Sequence, residues 1–211
     1  GDWVDTQAGN SMQEDDSLFQ VADLGGNEVF GTSSTLTNIH SHYITNASAG
    51  WSAYEFRGRM LITDPTAGIG VTVHSKYTTA DAYYRILHWG SDPFEMSPHP
   101  YPTPISCDSS NSGVVPQANQ WYRFRFEVEP NQSSTSIRAK VWPDDTSEPA
   151  TWQVRCEDRM VDRPGSGTVG VWSMSGGSKY WDDLEVIDPL GGPGGPDVPP
   201  GIPGKPIIVT P

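Results

Sequence analysis

The chain is poor in cations, in cysteine and in long apolar runs. Thirteen Lys and Arg stand against 26 Asp and Glu over 211 residues, a formal charge of −13. Binding to phosphates needs clustered Lys and Arg, so this balance argues against nucleic acid as a partner. Hydrophobic residues make up only 35%, and no run approaches the ~20 apolar residues that span a bilayer, which argues against membrane insertion. No window sustains a helical period. The only cysteines are Cys107 and Cys156. They either stay free or close one loop of about fifty residues, worth roughly 4 kcal/mol in the chain-entropy picture. An oxidising compartment favours the bridge. No signal peptide is visible, so the sequence reads as a mature product or an excised fragment.

What is present is aromatic bulk and turn formers. Eight Trp, eight Tyr and six Phe supply much of the core-forming volume, while 22 Gly and 19 Pro mark many turns. Period-two alternation recurs between those turns. In 54–62, Tyr54, Phe56, Met60 and Ile62 read inward, with Glu55, Arg57 and Arg59 outward. In 69–74, Ile69, Val71 and Val73 share one face, Thr72 and His74 the other. A strand at 82–89 is aromatic on both faces. Residues 91–119, rich in Pro and Ser, read as a long irregular insertion, functional or tethered. The clearest strand is 121–129, with Tyr122, Phe124, Phe126 and Val128 inward. Further strands follow at 137–142, 168–174 and 179–187. These patterns predict an all-β antiparallel sandwich over 1–188. The segment 189–211 is a Gly/Pro-rich tail or linker that cannot form a core, ending in a short β-prone piece at 207–209.

In the last strand, Tyr180, Asp182, Leu184 and Val186 are read on one face and Trp181, Asp183, Glu185 and Ile187 on the other. Together with Trp121-Tyr-Arg-Phe-Arg-Phe-Glu, Ile137-Arg-Ala-Lys-Val-Trp and Gly170-Val-Trp-Ser, this strand resembles bacterial extracellular jelly-roll domains of the concanavalin/laminin-G type over roughly 35–188. The resemblance implies a two-sheet jelly roll and an extracellular or cell-surface location. It also implies a structural calcium on the acid of the closing strand. That assigns Asp182, with Asp183 as a weaker ligand, and Asp2 and Asp5 as partners if the first and last strands lie together.

Three functions are compatible with such a sandwich. The first is a non-catalytic module of a larger secreted or surface assembly that binds a carbohydrate or polymer surface, using outward Trp89, Trp142 and Trp172 with Arg57 and His74. The second is a structural subunit of a filament, sheath or virion appendage, its tail docking on a like subunit. The third is a polysaccharide lyase in which Arg57, Arg59, His74 and Tyr83 neutralise a uronate and move its proton. The glycosidase signature of alternate carboxylates is absent; Asp183 and Glu185 have such spacing but lie at the expected closing edge and are discounted. His40 and His42 share a face, but two ligands are too few for zinc.

Overall fold

A computed structural model describes residues 2–7, 12–45, 47–100 and 103–187, and the backbone pair at 207–208. Its described residues form two antiparallel sheets. One has six strands, in the order β1 (Trp3–Gln7), β4 (Ile39–Tyr43), β13 (Thr168–Met174), β6 (Gly68–Ser75), β7 (Tyr84–His88) and β8 (Glu95–Met96). The other runs β2 (Gln20–Asp23), β3 (Glu28–Thr32), β14 (Lys179–Ile187), β5 (Tyr54–Ile62), β10 (Trp121–Pro130), β11 (Thr135–Pro143), β12 (Val154–Asp158) and β9 (Ser106–Ser109). A ninth member, β15 (Ile207–Ile208), pairs with β14, Glu185 opposite Ile208 and Val186 opposite Ile207.

Alternation decides which side chains fill the space between the sheets. Phe56, Phe124, Phe126, Val128, Ile137 and Val141 from the larger sheet meet Ile69, Val71, Val73, Tyr84, Ile86 and Val171 from the smaller one, all at or near zero exposure. Each fully buried aliphatic or aromatic side chain of this kind contributes about 1.5–3 kcal/mol. Tyr122, Phe124, Phe126 and Val128 point inward together, as the period required.

The 91–119 stretch has structure of its own. It leaves the smaller sheet as edge strand β8 and crosses to the larger one as edge strand β9. There Cys107 is disulfide-bonded to Cys156 of β12, 49 residues on. The insertion is therefore tethered, closing one margin of the sandwich.

Two registers depart from simple alternation. In β14, the pairing with β5 shifts between Asp182 and Glu185, and Asp183 adopts φ 54°. The extra residue of this bulge rotates the rest of the strand. Trp181, Leu184 and Val186 are consequently buried, while Asp182, Asp183 and Glu185 share the outer side. Strict alternation put Asp182 with Leu184 and Val186, and the bulge overturns that. In β6, His74 sits at φ 48° and turns inward, fully buried between Tyr54 and Tyr84.

Candidate functional site

The outer face of the larger sheet concentrates six of the thirteen Lys and Arg: Arg57, Arg59, Arg123, Arg125, Arg138 and Lys140. Each meets carboxylates. Arg59 reaches Asp182 at 2.6 Å, Asp144 at 3.3 Å and Asp183 at 3.3 Å, and its guanidinium lies 4.8 Å from the Trp121 ring centroid. Glu55, nearly sealed from solvent, is held by Arg57 and by Arg125 at 2.5 Å. Arg123 pairs with Asp144, and Arg138 with Glu127. Lys140 and Arg125 share Glu148, at 2.7 and 2.6 Å. Trp152 lies under Arg125, Arg138 and Lys140, with the three cationic groups 5.1–5.2 Å from its ring centroid.

Two recesses open on this face. One, of about 310 Å³, is lined by Arg57, Arg123, Arg125, Trp142, Glu148, Asp183 and Glu185. The other, of about 340 Å³, is lined by Asn119, Gln120, Trp121, Asp144 and Asp145. The Arg123–Asp144 pair contributes one residue to each, so the recesses adjoin. Desolvation raises the Glu185 carboxyl above its usual range, only partly offset by Arg57. Burial pushes Asp182 the same way, but hydrogen bonds from Asn27, Arg59 and the Asp183 N–H outweigh it and leave Asp182 lowered.

The outer face of the smaller sheet carries a layer of stacked rings instead, with half-buried Asn38 and Ser97 beside it. His40 stacks on His42 and reaches the Tyr83 hydroxyl at 2.8 Å, and Tyr83 stacks on His99, which pairs with Asp81. Trp172 packs against Gly68, where a Cβ would stand 2.7 Å from its ring, and the Arg85 guanidinium lies 4.5 Å from the ring centroid. His40 is 0% and Trp172 2% exposed.

The expected site residues are thus scattered. Arg57 and Trp142 come together in the first recess, with Arg59 beside them. Trp172 faces outward as read but is covered, and Trp142 is 7% exposed at the base of its recess. Trp89, 51% exposed, stands beyond the end of β7. His74 is internal, its ring nitrogens 3.0 Å from the Pro164 carbonyl and 2.6 Å from that of Ser52. The proposed lyase quartet therefore divides between two opposite outer faces and the interior, because only Arg57 and Arg59 share a surface. Tyr83 instead meets His40 and Arg85.

The calcium set is divided as well. β1 pairs with β4 in the smaller sheet, whereas β14 lies inside the larger one. Asp5 points into the sandwich, accepting a 2.9 Å bond from the Phe19 N–H, while Asp2 is exposed. Asp182 is on the far outer face, engaged by Arg59. Among the described residues no three His, Cys, Asp or Glu side chains are grouped to hold a metal ion. Sequence reasoning missed Arg123, Arg125 and Glu148 as groove residues. Their outward alternation was legible, but the bulge that adds Asp183 and Glu185 was not. Nor is β14 a closing edge, since it lies between β3 and β5.

No protein-family model matches the chain, and no curated protein matches it in sequence. Among solved structures it is similar to a protein of unknown function with a galectin-like fold from Bacillus subtilis, with TM-score 0.50 and 8% identity over 88% of each chain. A carbohydrate-binding module from Bacillus subtilis aligns at TM-score 0.47 and 10% identity, covering 81% of this chain and 92% of that one. The catalytic domain of a glycoside hydrolase family 131 protein from Coprinopsis cinerea aligns at 0.48 and 11%, covering 88% and 83%. At such identities the likeness concerns the fold alone. The chain is an all-β, two-sheet antiparallel jelly roll of the galectin and concanavalin type.

Proposed function

We propose that this chain is an extracellular, non-catalytic carbohydrate-binding module, seating its ligand in the paired recesses on the outer face of the larger sheet. The observation that carries this is the 310 Å³ recess, where three arginines and three carboxylates converge around Trp142. Guanidinium forks and carboxylates are suited to vicinal hydroxyls, which donate and accept at fixed spacing. Half-buried Trp121 in the adjoining recess offers apolar surface to a sugar ring, and the small exposed part of Trp142 lines the first recess. A volume near 300 Å³ is at the lower end of small-ligand sites, and the adjoining recess extends it along a chain. The disulfide supports an oxidising location. Glycan-array screening followed by calorimetry tests the reading. Arg123→Ala should weaken the best hit at least tenfold with an unchanged fold. A hit that ignores both Arg123→Ala and Trp142→Ala would reject this face.

One observation favours the second reading, a subunit that hands its tail to a neighbour. β3 covers β14 only from Lys179 to Trp181, and β15 takes the same edge at Glu185 and Val186. A strand donated by a second copy would find that slot equally suited. Light scattering of the full chain beside residues 1–188 tests it. A concentration-dependent dimer or polymer of the full chain, lost on truncation, supports exchange, and two monomers reject it.

A further inference from the structure

Arg85, on β7 of the smaller sheet, is the most unusual of the described cations. Seven of the nine arginines pair with carboxylates, and Arg163 donates to backbone carbonyls. Arg85 is the buried one, 8% exposed, and among the described residues no carboxylate lies within ion-pair reach of it. The nearest acid by charge, Asp81, is taken by His99 at 3.2 Å. A buried charge without a counter-charge is costly, and chains retain one where something else supplies the partner.

The surroundings specify that partner. The guanidinium lies against two rings, 4.5 Å from the Trp172 centroid and 5.6 Å from that of Tyr83. These contacts leave its in-plane N–H edge for hydrogen bonding. Along that edge Nη1 reaches Asn38 at 3.3 Å and Nη2 reaches Ser97 at 3.2 Å, both neutral and both long, while Nε has no partner among the described residues. Asn38 and Ser97 are themselves only partly buried, so they form a rim through which a ligand can displace them. Two more buried atoms without a partner among the described residues belong to the same face, Thr72 Oγ1 and His40 Nδ1. Thr72 pairs with Arg85 across β6 and β7, and His40 pairs with Trp172 across β4 and β13.

We propose that the outer face of the six-stranded sheet holds a second binding site, in which Arg85 takes the carboxylate of an acidic sugar. A carboxylate matches the free Nε and an Nη as a bidentate fork, which a hydroxyl does not. The Trp172 and Tyr83 rings exclude water around the pair and strengthen it. The two faces are independent: neutral hydroxyls are handled on one and a charged group on the other.

Titration calorimetry of the full chain at pH 7 in low-chloride buffer, with sodium glucuronate, glucose, acetate and sulfate, tests this. Glucuronate should bind saturably in the millimolar range or tighter, glucose not at this site, and acetate and sulfate at least tenfold more weakly. Arg85→Lys keeps the charge but not the fork and should cost about tenfold, and Arg85→Met should abolish binding. Arg123→Ala, on the opposite face, should leave glucuronate binding intact. The absence of saturable glucuronate binding to the unmodified chain would overturn the proposal whether or not the variants fold. So would equal binding of sulfate, undiminished binding to Arg85→Met, or loss of binding in Arg123→Ala.

Discussion

At the scale of single residues, buried titratable groups set opposing pH dependences. Burial pushes Asp5 up to about 6, partly countered by the nearby Ser41 hydroxyl and by the bond from the Phe19 N–H. A raised acid favours folding while protonated, so its contribution is complete below ~4 and is lost as pH rises through about 6. His42 and His74 are pushed down to about 4 by desolvation, and His40 is lowered by the same cause. Their contribution is complete above ~6.5 and is lost as pH falls through about 4. Asp5→Asn should therefore raise stability at pH 8, by at most about 3 kcal/mol, and change it little at pH 4. Urea denaturation at the two pH values decides this, and equal effects would refute it. Arg59 is the second residue of consequence, since it separates Asp144, Asp182 and Asp183. Arg59→Leu should cost about 1–3 kcal/mol in the same assay, less than a fully buried pair because the group is partly solvated.

At the scale of elements, the margin built by β8, β9 and β12 rests on one covalent link. Reducing Cys107–Cys156 should lower stability by up to about 4 kcal/mol, and the 91–119 stretch should become the first site of proteolysis. Cleavage elsewhere first, or an unchanged melt in reductant, would mean the margin holds by packing alone. Most strands were legible beforehand, because Phe56, Phe124, Phe126 and Val71 repeat at the period that one buried face requires. Two positions were not. His74 and Asp183 take left-handed backbone conformations that period-two counting cannot register. Sheet membership was equally hidden: β1 and β14 were expected side by side, yet nothing local to either strand specifies its partner.

At the scale of the whole molecule, opposite charges are neutralised on one face, and the excess acid lies elsewhere. Because Arg57, Arg59, Arg123, Arg125, Arg138 and Lys140 share the groove face, the remainder carries few cations against many carboxylates. Self-repulsion there is screened over about 10 Å at 0.1 M salt. The melting temperature at pH 7.5 should accordingly rise by a few degrees between 10 and 200 mM NaCl. A fall would show that the screened ion pairs dominate. The groove was half legible in the sequence: outward arginines on two strands announced a charged surface, but which carboxylates would meet them depended on long-range pairing. Trp142 and Trp172 show the complementary failure. Both face outward as alternation demanded, yet neighbours cover them, and cover is a tertiary property.

Lys179 has a practical corollary. Burial lowers its amine to about 8, yet its Nζ is enclosed by the carbonyls of Ser175, Gly176 and Gly177. Lys140 is likewise occupied, by Glu148 and the Pro149 carbonyl. The sequence has only two other lysines, Lys76 and Lys205. Lys76, on the loop after β6, is half-buried and so more accessible than either. Among the described lysines, Lys76 should therefore take amine-reactive dyes or resins first, and it follows a strand of the sheet opposite the arginine-lined groove.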